Sequence, residues 1–585
     1  MHELTKKLKN CREFFLRQLK RAGDFYSLSG KEALFIGLMF LILLGINYLL
    51  IALHGFSLSY SKIWPSVSVL NRVFFLQVLF FAGHFALLRS RWYLFAVVTL
   101  HFAVCFVLLA IYFTTGTFFC ESILYLVYDT TAAETRDFLS AYVDVKSLFL
   151  LAGVLLVYFV PVFFIMKLHK GEKKYCHGDW RMLVTLGVIL LIPGVRTFQE
   201  SGSSLDGFWN RLCTAHPFSS IHEQIAIFNR HAGEFTREMR HRTPPDFVEL
   251  NAELKENPPV GVLVIGESAI RSHHSIFGYQ RNTTPNLLRE KENIFLFNDT
   301  IAVLPMTITA LKYWLTDMTL ENRHVSWTLF DALKKAGYRI DVITNQNKSG
   351  WADSPLQMIF ATADSITYMH EENYSDLYED RNAQIYDGKL LPVFNQWLEK
   401  NMDNDVDPRP RLVVIHLFGS HDPFRSRYPQ DFSREFLDDN DSYALVNEYD
   451  TSILYTDTIL GRIIDGLKNC TVPAYMIYFS DHGSVCTPEH LRTPGSVDNS
   501  AYEIPFLVWT NPQYRRELPG VVQRMQKSAD VPLQADAAHY GLLEIMGIKF
   551  LKDVEKDNFL SEKFVVRPRT ILEGGRPYQP TGETK

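Results

Sequence analysis

Long apolar runs dominate the first 200 residues of the chain, whereas short apolar runs alternate with polar stretches after residue 260. A run of about 20 apolar residues is long enough to cross the hydrocarbon core of a bilayer as a helix. A buried core helix would explain one such run, but not several in succession. The pattern therefore predicts an N-terminal five-helix transmembrane domain over residues 1–197. Its helices are expected at about 33–53, 68–88, 92–114, 147–167 and 181–196.

The basic residues of this region predict its orientation. Lys and Arg are frequent in residues 1–32 and in the 167–181 loop, and they are scarce in the 54–71 and 120–146 connections. Loops rich in Lys and Arg remain on the cytoplasmic side of a membrane. With five spans, everything after about residue 196 is therefore expected outside the cytoplasm.

The remainder of the chain has the pattern of a linker followed by a globular domain. Residues 198–257 are amphipathic, and the breakers Pro244-Pro245 and Pro258-Pro259 mark a boundary, which places the globular domain at 258–585. Strand-like runs there alternate with helical stretches, which predicts an α/β/α sandwich with a mostly parallel sheet. The strand-like runs are 260–265, 339–344, 412–417, 475–479 and 504–509.

Composition excludes some classes of protein. The formal net charge of −5 gives no sign of a nucleic-acid partner. Seven cysteines in 585 residues do not make a disulfide scaffold. Cys470 and Cys486 flank the predicted 475–479 strand in a compartment that permits disulfides, so a bond between them is one expectation.

Polar side chains follow several of the predicted strands. Glu267 comes directly after the first strand, Asp481 and His482 follow the 475–479 strand, and His421 lies just beyond the 412–417 strand. His490 is eight residues beyond His482, a loop length that could return it to the same place. Carboxyl ends of parallel strands line one crevice, and carboxylate oxygen with imidazole nitrogen suits zinc. Each of these residues alone is more often structural than catalytic, but together they predict one metal-binding crevice.

Two threonine-bearing segments leave alternatives open. Thr307 comes just before a helical stretch at 310–320, where it is either an N-cap or a nucleophile that faces the positive end of the helix. Thr309 is a rival nucleophile two residues away. Thr130 and Glu134 are one helical turn apart in the 120–146 connection, so they either contact a lipid ammonium group or form an N-cap and a solvated helix face.

The chain resembles the bacterial membrane-bound phosphoethanolamine transferases of the alkaline phosphatase superfamily. The resemblance covers nearly the whole chain and rests on several motifs in order. They are Ile265-Gly-Glu-Ser268, Phe277-Gly-Tyr279 with Arg281-Asn-Thr-Thr-Pro285, Thr307, Gly419-Ser-His421, Tyr449-Asp450 with Leu454-Tyr-Thr-Asp457, Phe479-Ser-Asp-His-Gly483, and Glu503-Ile-Pro505.

The resemblance implies specific roles for the residues at the strand ends. Thr307 would be the nucleophile that becomes modified by phosphoethanolamine. Zinc, as one ion or two, would be held by Glu267, Thr307, Asp481 and His482. His421 and His490 would bind the phosphoryl group, a second metal or the leaving group. Thr130 and Glu134 match a segment that contacts the lipid headgroup.

The implied activity is transfer of phosphoethanolamine from phosphatidylethanolamine to lipopolysaccharide, with release of diacylglycerol. The protein would be a monomer in the bacterial inner membrane, with its catalytic domain in the periplasm. In the lipid A branch, a Ser-Gly-x-Lys segment contacts the headgroup, whereas here Ser349-Gly350 is followed by Trp351 and Ala352. Ser484 also stands where the family often has Glu. These departures favour core heptose over lipid A as the acceptor.

Two other functions remain open from the sequence. A phosphoglycerol transferase that acts on phosphatidylglycerol shares five spans and a threonine nucleophile. A non-catalytic membrane protein with a degenerate hydrolase domain is the alternative from a different class. A sulfatase activity is disfavoured, because no Cys-x-Pro-x-Arg segment lies near residue 307.

Overall fold

The described residues of the chain form two compact units. The computed structural model describes residues 37–50, 91–115, 119, 123–124, 145–168, 195, 217–346, 355–369, 386–402, 407–433, 435–436, 443–486, 491–492, 499–571 and 576–578. The first unit ends at Phe228, and the unit that contains the large sheet continues from Asn229.

Among the described residues of the first unit are three apolar helices, at Gly37–Leu50, Arg91–Thr115 and Val145–Leu168. In the described part of the chain, one helix is long and apolar enough to cross a membrane by length and composition, with its apolar window at Phe95–Tyr112. The apolar segments of the other two are shorter. The predicted spans at 68–88 and 181–196 lie outside the described residues, apart from residue 195. The count of five helices therefore stays a prediction.

The three apolar helices are packed on one side and exposed on the other. Leu43, Phe102 and Tyr158 belong to one buried cluster that joins all three, and the rings of Phe102 and Tyr158 stack with centroids 3.7 Å apart. On the outside, Phe149 is 73% exposed and Val157 is 70% exposed. Water disfavours such an apolar exterior, whereas the hydrocarbon of a bilayer accommodates it.

A seven-stranded sheet forms the centre of the second unit. Its strands are β1 (Val260–Gly266), β2 (Ile294–Leu296), β3 (Arg339–Thr344), β4 (Ser365–Tyr368), β5 (Arg411–His416), β6 (Ala474–Ser480) and β7 (Phe506–Thr510). Their order is β2-β7-β6-β1-β5-β3-β4. The pairs from β6 to β4 are all parallel, and only β7 is antiparallel to both of its neighbours. The predicted, mostly parallel sheet is confirmed.

Helices cover both faces of this sheet because its central strands are apolar on both sides. Every residue of β1, β5 and β6 is buried. Leu263 and Ile265 of β1 face one apolar core, and Val262 and Val264 face the other. Residues of the following helices contribute to the first core: Thr307–Leu315, Leu329–Lys335, Pro355–Phe360, Pro512–Glu517, Pro519–Lys527 and His539–Ile545. Those of Pro285–Arg289, Leu390–Glu399 and Ala444–Leu467 contribute to the second.

Part of the predicted linker is integrated into the sheet-containing unit. The linker contains the helix Pro217–His241 and the strand Val248–Leu250. The strand pairs with Ile548–Phe550, and Phe235 and Met239 of the helix are buried in the first core. This unit therefore begins upstream of residue 258.

Short two-stranded ribbons complete the unit. They are 300–301 with 533–534, 485–486 with 491–492, and 570–571 with 576–577.

The prediction of a disulfide between Cys470 and Cys486 is wrong, because both residues are free thiols. The seven-residue strand β6 lies between them in the chain. An extended strand of that length spans roughly 23 Å, so the two cysteines lie beyond opposite ends of the sheet.

Candidate active site

The ends of β1 and β6 bring the predicted ligands together. These strands are parallel neighbours in which Gly266 is opposite Ser480. Glu267 and Asp481 therefore leave the sheet side by side, and His482 follows. The ligand atoms of these three buried residues all lie within 4.8 Å of one another.

Thr307 completes this group from the first residue of the helix Thr307–Leu315. Its Oγ1 donates a 2.8 Å hydrogen bond to Glu267 Oε2 and lies 3.4 Å from His482 Nε2. Thr309 is also on the helix, but residues two apart do not share a helix face. Its buried hydroxyl has no hydrogen-bond partner among the described residues. The geometry thus distinguishes the two threonines that the sequence left as rivals.

The carboxylates and the imidazole strongly perturb one another. His482 Nε2 lies 3.2 Å from Glu267 Oε1 and 3.4 Å from Asp481 Oδ2. Burial alone would raise the pKa of Glu267, but His482 outweighs it and lowers that pKa below its ordinary value. Burial and the charge of Glu267 raise the pKa of Asp481 to about 8. Burial opposes a charged imidazole, yet Asp481 and Glu267 raise the pKa of His482 to about 9.

These shifts arise because two buried carboxylates share the positive charge of a single imidazole. Two buried carboxylates face a single imidazole, so one carboxylate retains a proton near neutral pH. Asp481 Oδ2 is buried and has no hydrogen-bond partner in the part of the chain that the structure describes. His482 Nδ1 lies 2.7 Å from Gly483 O, which leaves Nε2 directed at the carboxylates. Two carboxylates, one imidazole and a hydroxyl form a donor set that fits a four-coordinate divalent cation such as zinc.

The turn that carries Glu267 is unusually tight. Ser268 has a φ of 56°, a left-handed conformation that is uncommon for a residue other than glycine. Its N–H donates to Asp481 Oδ1 at 3.2 Å and its Oγ donates to Glu267 Oε1 at 2.8 Å. Gly419 has a φ of 55°, and a Cβ atom there would lie 2.7 Å from Glu267 O. Only glycine therefore allows this close approach of the two loops.

His421 lies on the loop that follows β5. The loop is fixed against the site because Ser420 N–H donates to Glu267 O at 2.9 Å. His421 Nδ1 lies 2.6 Å from Asp422 O, and the ring is near enough to Glu267 to help lower its pKa. The other predicted site residues, His490, Thr130 and Glu134, lie outside the described residues.

Asp387 anchors the loop of His421 from behind, a role that sequence reasoning missed. Its buried carboxylate accepts 2.8 Å hydrogen bonds from the N–H groups of Phe418 and Gly419. A third hydrogen bond, of 2.7 Å, comes from Asn345 Nδ2 just after β3. An acidic residue far from any predicted strand end gave no local signal for this contact.

Sequence reasoning also missed how the helix Ala444–Leu467 fixes the Glu267 turn. Tyr449 OH donates to Ser268 O at 2.8 Å and accepts a 2.8 Å hydrogen bond from Ile270 N–H. Asp450 is fully buried and accepts hydrogen bonds from Tyr279 OH at 2.9 Å and from Arg281 Nη1 at 2.8 Å. The motif that contains Tyr279 and Arg281 therefore contacts the motif Tyr449-Asp450, and the sequence had not indicated this contact. The signal in the sequence was an acidic residue, Asp450, directly after an aromatic one near the start of a long helix.

We expect Tyr449→Phe to weaken zinc binding by about 10- to 100-fold, since groups that orient a metal ligand typically contribute that much. The variant removes the hydroxyl that holds Ser268 and Ile270, but it retains the ring. Tyr514→Phe is the matched control, because Tyr514 OH donates to Ile545 O within the core. Competition against a chromogenic chelator measures the affinity. Equal zinc affinities in both variants would refute a positioning role for Tyr449.

The chain is similar to known proteins along most of its length. The sulfatase family matches residues 259–548. Phosphoethanolamine transferase EptC of Escherichia coli K12 is 27% identical over 440 residues, which is 70% of this chain and 73% of EptC. The Kdo(2)-lipid A phosphoethanolamine 7''-transferase of the same strain is 28% identical over 286 residues, 46% of this chain and 48% of that protein.

A solved structure is similar over both units of the chain. The integral membrane protein lipooligosaccharide phosphoethanolamine transferase A from Neisseria meningitidis matches with a TM-score of 0.63. The identity is 20%, and the match covers 90% of this chain and 96% of that one, so it shows the fold alone.

The match over residues 259–548 indicates the class of protein, because that part of the chain is similar to the sulfatase family. The resemblance to the phosphoethanolamine transferases that the motifs indicated is confirmed.

Proposed function

We propose that this chain transfers phosphoethanolamine from phosphatidylethanolamine to lipopolysaccharide through a covalent adduct on Thr307. The observation that carries the proposal is the contact of the Thr307 hydroxyl with Glu267 and its approach to His482, in a buried group with the donor set of a zinc site. The similarity to phosphoethanolamine transferases specifies the group that is transferred.

Zinc would be held by Glu267, Asp481, His482 and Thr307. When bound, zinc lowers the pKa of the hydroxyl it contacts and stabilises negative charge on phosphoryl oxygens. The raised pKa of Asp481, and its one buried oxygen without a hydrogen-bond partner among the described residues, support this assignment.

In the first step, Thr307 Oγ1 forms a bond to the phosphorus of the donor. The bond from phosphorus to the diacylglycerol oxygen breaks, and diacylglycerol leaves with a proton. Glu267 Oε2 orients the hydroxyl through the 2.8 Å hydrogen bond. Thr307 is the first residue of its helix, so unpaired backbone N–H groups lie close to the oxygen on which charge develops.

In the second step, an acceptor oxygen displaces Thr307 Oγ1 from phosphorus, and the threonine hydroxyl regains a proton. His421 and His490 are the candidates to hold the phosphoryl group or the leaving group. His421 belongs to the loop that borders the site, and His490 follows His482 by eight residues in the sequence. Thr130 and Glu134 are the candidates to contact the ammonium group of the donor. Core heptose is favoured over lipid A as the acceptor, because the lysine of the Ser-Gly-x-Lys segment is replaced at Ala352.

The proposed location is the bacterial inner membrane, with five spans and the catalytic domain in the periplasm. The apolar exterior of the helices around Phe149 and Val157 supports insertion in a membrane. A membrane anchor would keep the site next to a lipid donor, which no soluble phosphatase requires.

A comparison of two donor lipids tests this function. The purified full chain is incubated in detergent micelles with phosphatidylethanolamine or with phosphatidylglycerol, and diacylglycerol release is measured. We expect release from phosphatidylethanolamine to exceed release from phosphatidylglycerol at least tenfold. A preference for phosphatidylglycerol would make the chain a phosphoglycerol transferase, and release from neither lipid would support the degenerate, non-catalytic alternative.

A further inference from the structure

Residues 500–505, the bridging segment, run beside the turn that carries Asp481 and His482. The N–H of Gly483, which directly follows His482, donates a 2.8 Å hydrogen bond to Ala501 O. A Cβ atom on Gly483 would lie only 2.6 Å from a backbone oxygen of the segment, so only glycine allows the two stretches of backbone to approach this closely. A shift of the bridging segment would therefore move the turn of His482.

The bridging segment also contacts the chain near the other two predicted ligands. The N–H of Arg271, four residues after Glu267, donates to Glu503 O at 3.1 Å. The N–H of Ala302, five residues before Thr307, donates to the preceding carbonyl of the segment at 2.8 Å. The stretches of chain that carry all four ligands are thus joined by six consecutive residues.

The carboxylate of Glu503 fixes the bridging segment from within. It is 4% exposed, and each of its oxygens accepts a hydrogen bond. Tyr578 OH donates to Oε1 at 2.7 Å, and Arg271 Nη2 donates to Oε2 at 3.4 Å. Burial and the hydrogen bond to Glu503 raise the pKa of Tyr578, so the phenol stays protonated and remains a donor. Tyr578 supplies the shorter of these two contacts.

Tyr578 is itself fixed to the strand that leads to Thr307. Its N–H donates to Arg569 O at 2.9 Å, and the guanidinium of Arg569 lies over its ring, with Cζ 4.7 Å from the ring centroid. The same guanidinium donates to both carboxylate oxygens of Asp299, at 2.6 and 2.9 Å. Such a bidentate pair is geometrically specific. Asp299 directly precedes the strand 300–301, so the phenol has a defined place from which to hold Glu503.

We propose that Tyr578 is a positioning residue for the metal site and acts on it through Glu503 and the bridging segment. The inference rests on the zinc site of the proposed function and adds to it a residue from the ribbon 570–571 with 576–577. The phenol keeps the carboxylate of Glu503 in place, and the segment keeps the turns of Glu267 and His482 at the separation that one ion requires. The Glu503-Ile-Pro505 motif thereby acquires a physical role.

The test compares zinc affinity with metal-free stability in the purified full chain in detergent micelles. Tyr578→Phe removes the hydroxyl and retains the ring. We expect its zinc affinity to fall about tenfold, the low end of what groups that orient a metal ligand contribute, as measured by competition against a chromogenic chelator. Tyr514→Phe is the matched control, because it also removes a hydrogen-bonded, buried tyrosine hydroxyl. The control should bind zinc with wild-type affinity, and both variants should lower the metal-free melting temperature by similar amounts.

Two further measurements separate positioning from general destabilisation. Cobalt(II) bound in place of zinc has visible absorption bands that depend on the arrangement of its ligands, and these bands should shift in Tyr578→Phe but not in the control. If Tyr578 acts through Glu503, the double variant with Glu503→Ala should lose no more zinc affinity than Glu503→Ala alone, since coupled residues are not additive.

Wild-type zinc affinity and an unchanged cobalt spectrum in Tyr578→Phe would overturn the inference. Full additivity of the two losses would also overturn it, as would a fall in metal-free melting temperature far larger than that of the control. A wild-type protein that binds no zinc would refute the zinc site of the proposed function, and the inference with it.

Discussion

Thr307→Ala is expected to abolish the phosphoethanolamine adduct and to lower turnover by at least about 10³-fold, the scale on which loss of a nucleophile acts. The hydroxyl is the group that the structure holds against Glu267 Oε2, at 2.8 Å. Its removal deletes one hydrogen bond at the half-buried start of a helix, so the fold should persist. Intact-protein mass spectrometry after incubation with phosphatidylethanolamine measures the adduct, and circular dichroism reports the melting temperature.

Thr309→Ala is the matched control for this experiment. It removes a threonine hydroxyl from the same helix, two residues after Thr307. The Thr309 hydroxyl is buried without a partner in the described structure, so its loss breaks no hydrogen bond there. We expect the control to retain the adduct at the wild-type level. An adduct that survives in Thr307→Ala and disappears in Thr309→Ala would assign the nucleophile to the other threonine.

Asp481→Asn is expected to remove the dependence of stability on zinc. A ligand that binds only the folded state stabilises it by about 4 kcal/mol when present at roughly 1,000 times its dissociation constant. Zinc should therefore raise the melting temperature of the wild-type protein, and a chelator should lower it. Asparagine offers no anionic oxygen, so the zinc-dependent increase should largely disappear in the variant.

Without zinc, the same substitution should cost little stability. In the metal-free site, burial and Glu267 raise the pKa of Asp481 to about 8. Near pH 7 the carboxyl is therefore mostly protonated, and a neutral amide replaces a neutral acid. Asp553→Asn, at an exposed position far along the chain from the site, is the control that should keep the full response to zinc. A zinc response of wild-type size in Asp481→Asn would show that the ion binds elsewhere.

The sequence predicted the metal ligands of the site because the carboxyl ends of parallel strands lie at the same edge of a sheet. Apolar runs located β1 and β6, and the residues after them, Glu267 and Asp481, meet as that rule requires. Thr307 could be proposed because a threonine preceded a helix. The choice between Thr307 and Thr309 needed the structure, because both threonines belong to the same helix and only their faces differ.

The contacts that support the site could not be predicted from local patterns. Tyr449 reaches a turn some 180 residues earlier in the chain. Asp387 holds a loop about 30 residues later. Such pairings depend on how a helix packs against the sheet, and neither periodicity nor turn signals record that. The strand Val248–Leu250 was missed for a related reason, since three residues are too few to show an alternating pattern.

The most direct test is a diffraction experiment on the zinc-soaked protein at the zinc absorption edge. The account predicts a single strong anomalous peak just beyond the carboxyl ends of β1 and β6. Glu267, Asp481, His482 and Thr307 Oγ1 should all lie at coordination distances of roughly 2.0–2.2 Å from it. A peak at another place, or a peak from which Thr307 Oγ1 is well beyond coordination reach, would contradict the account.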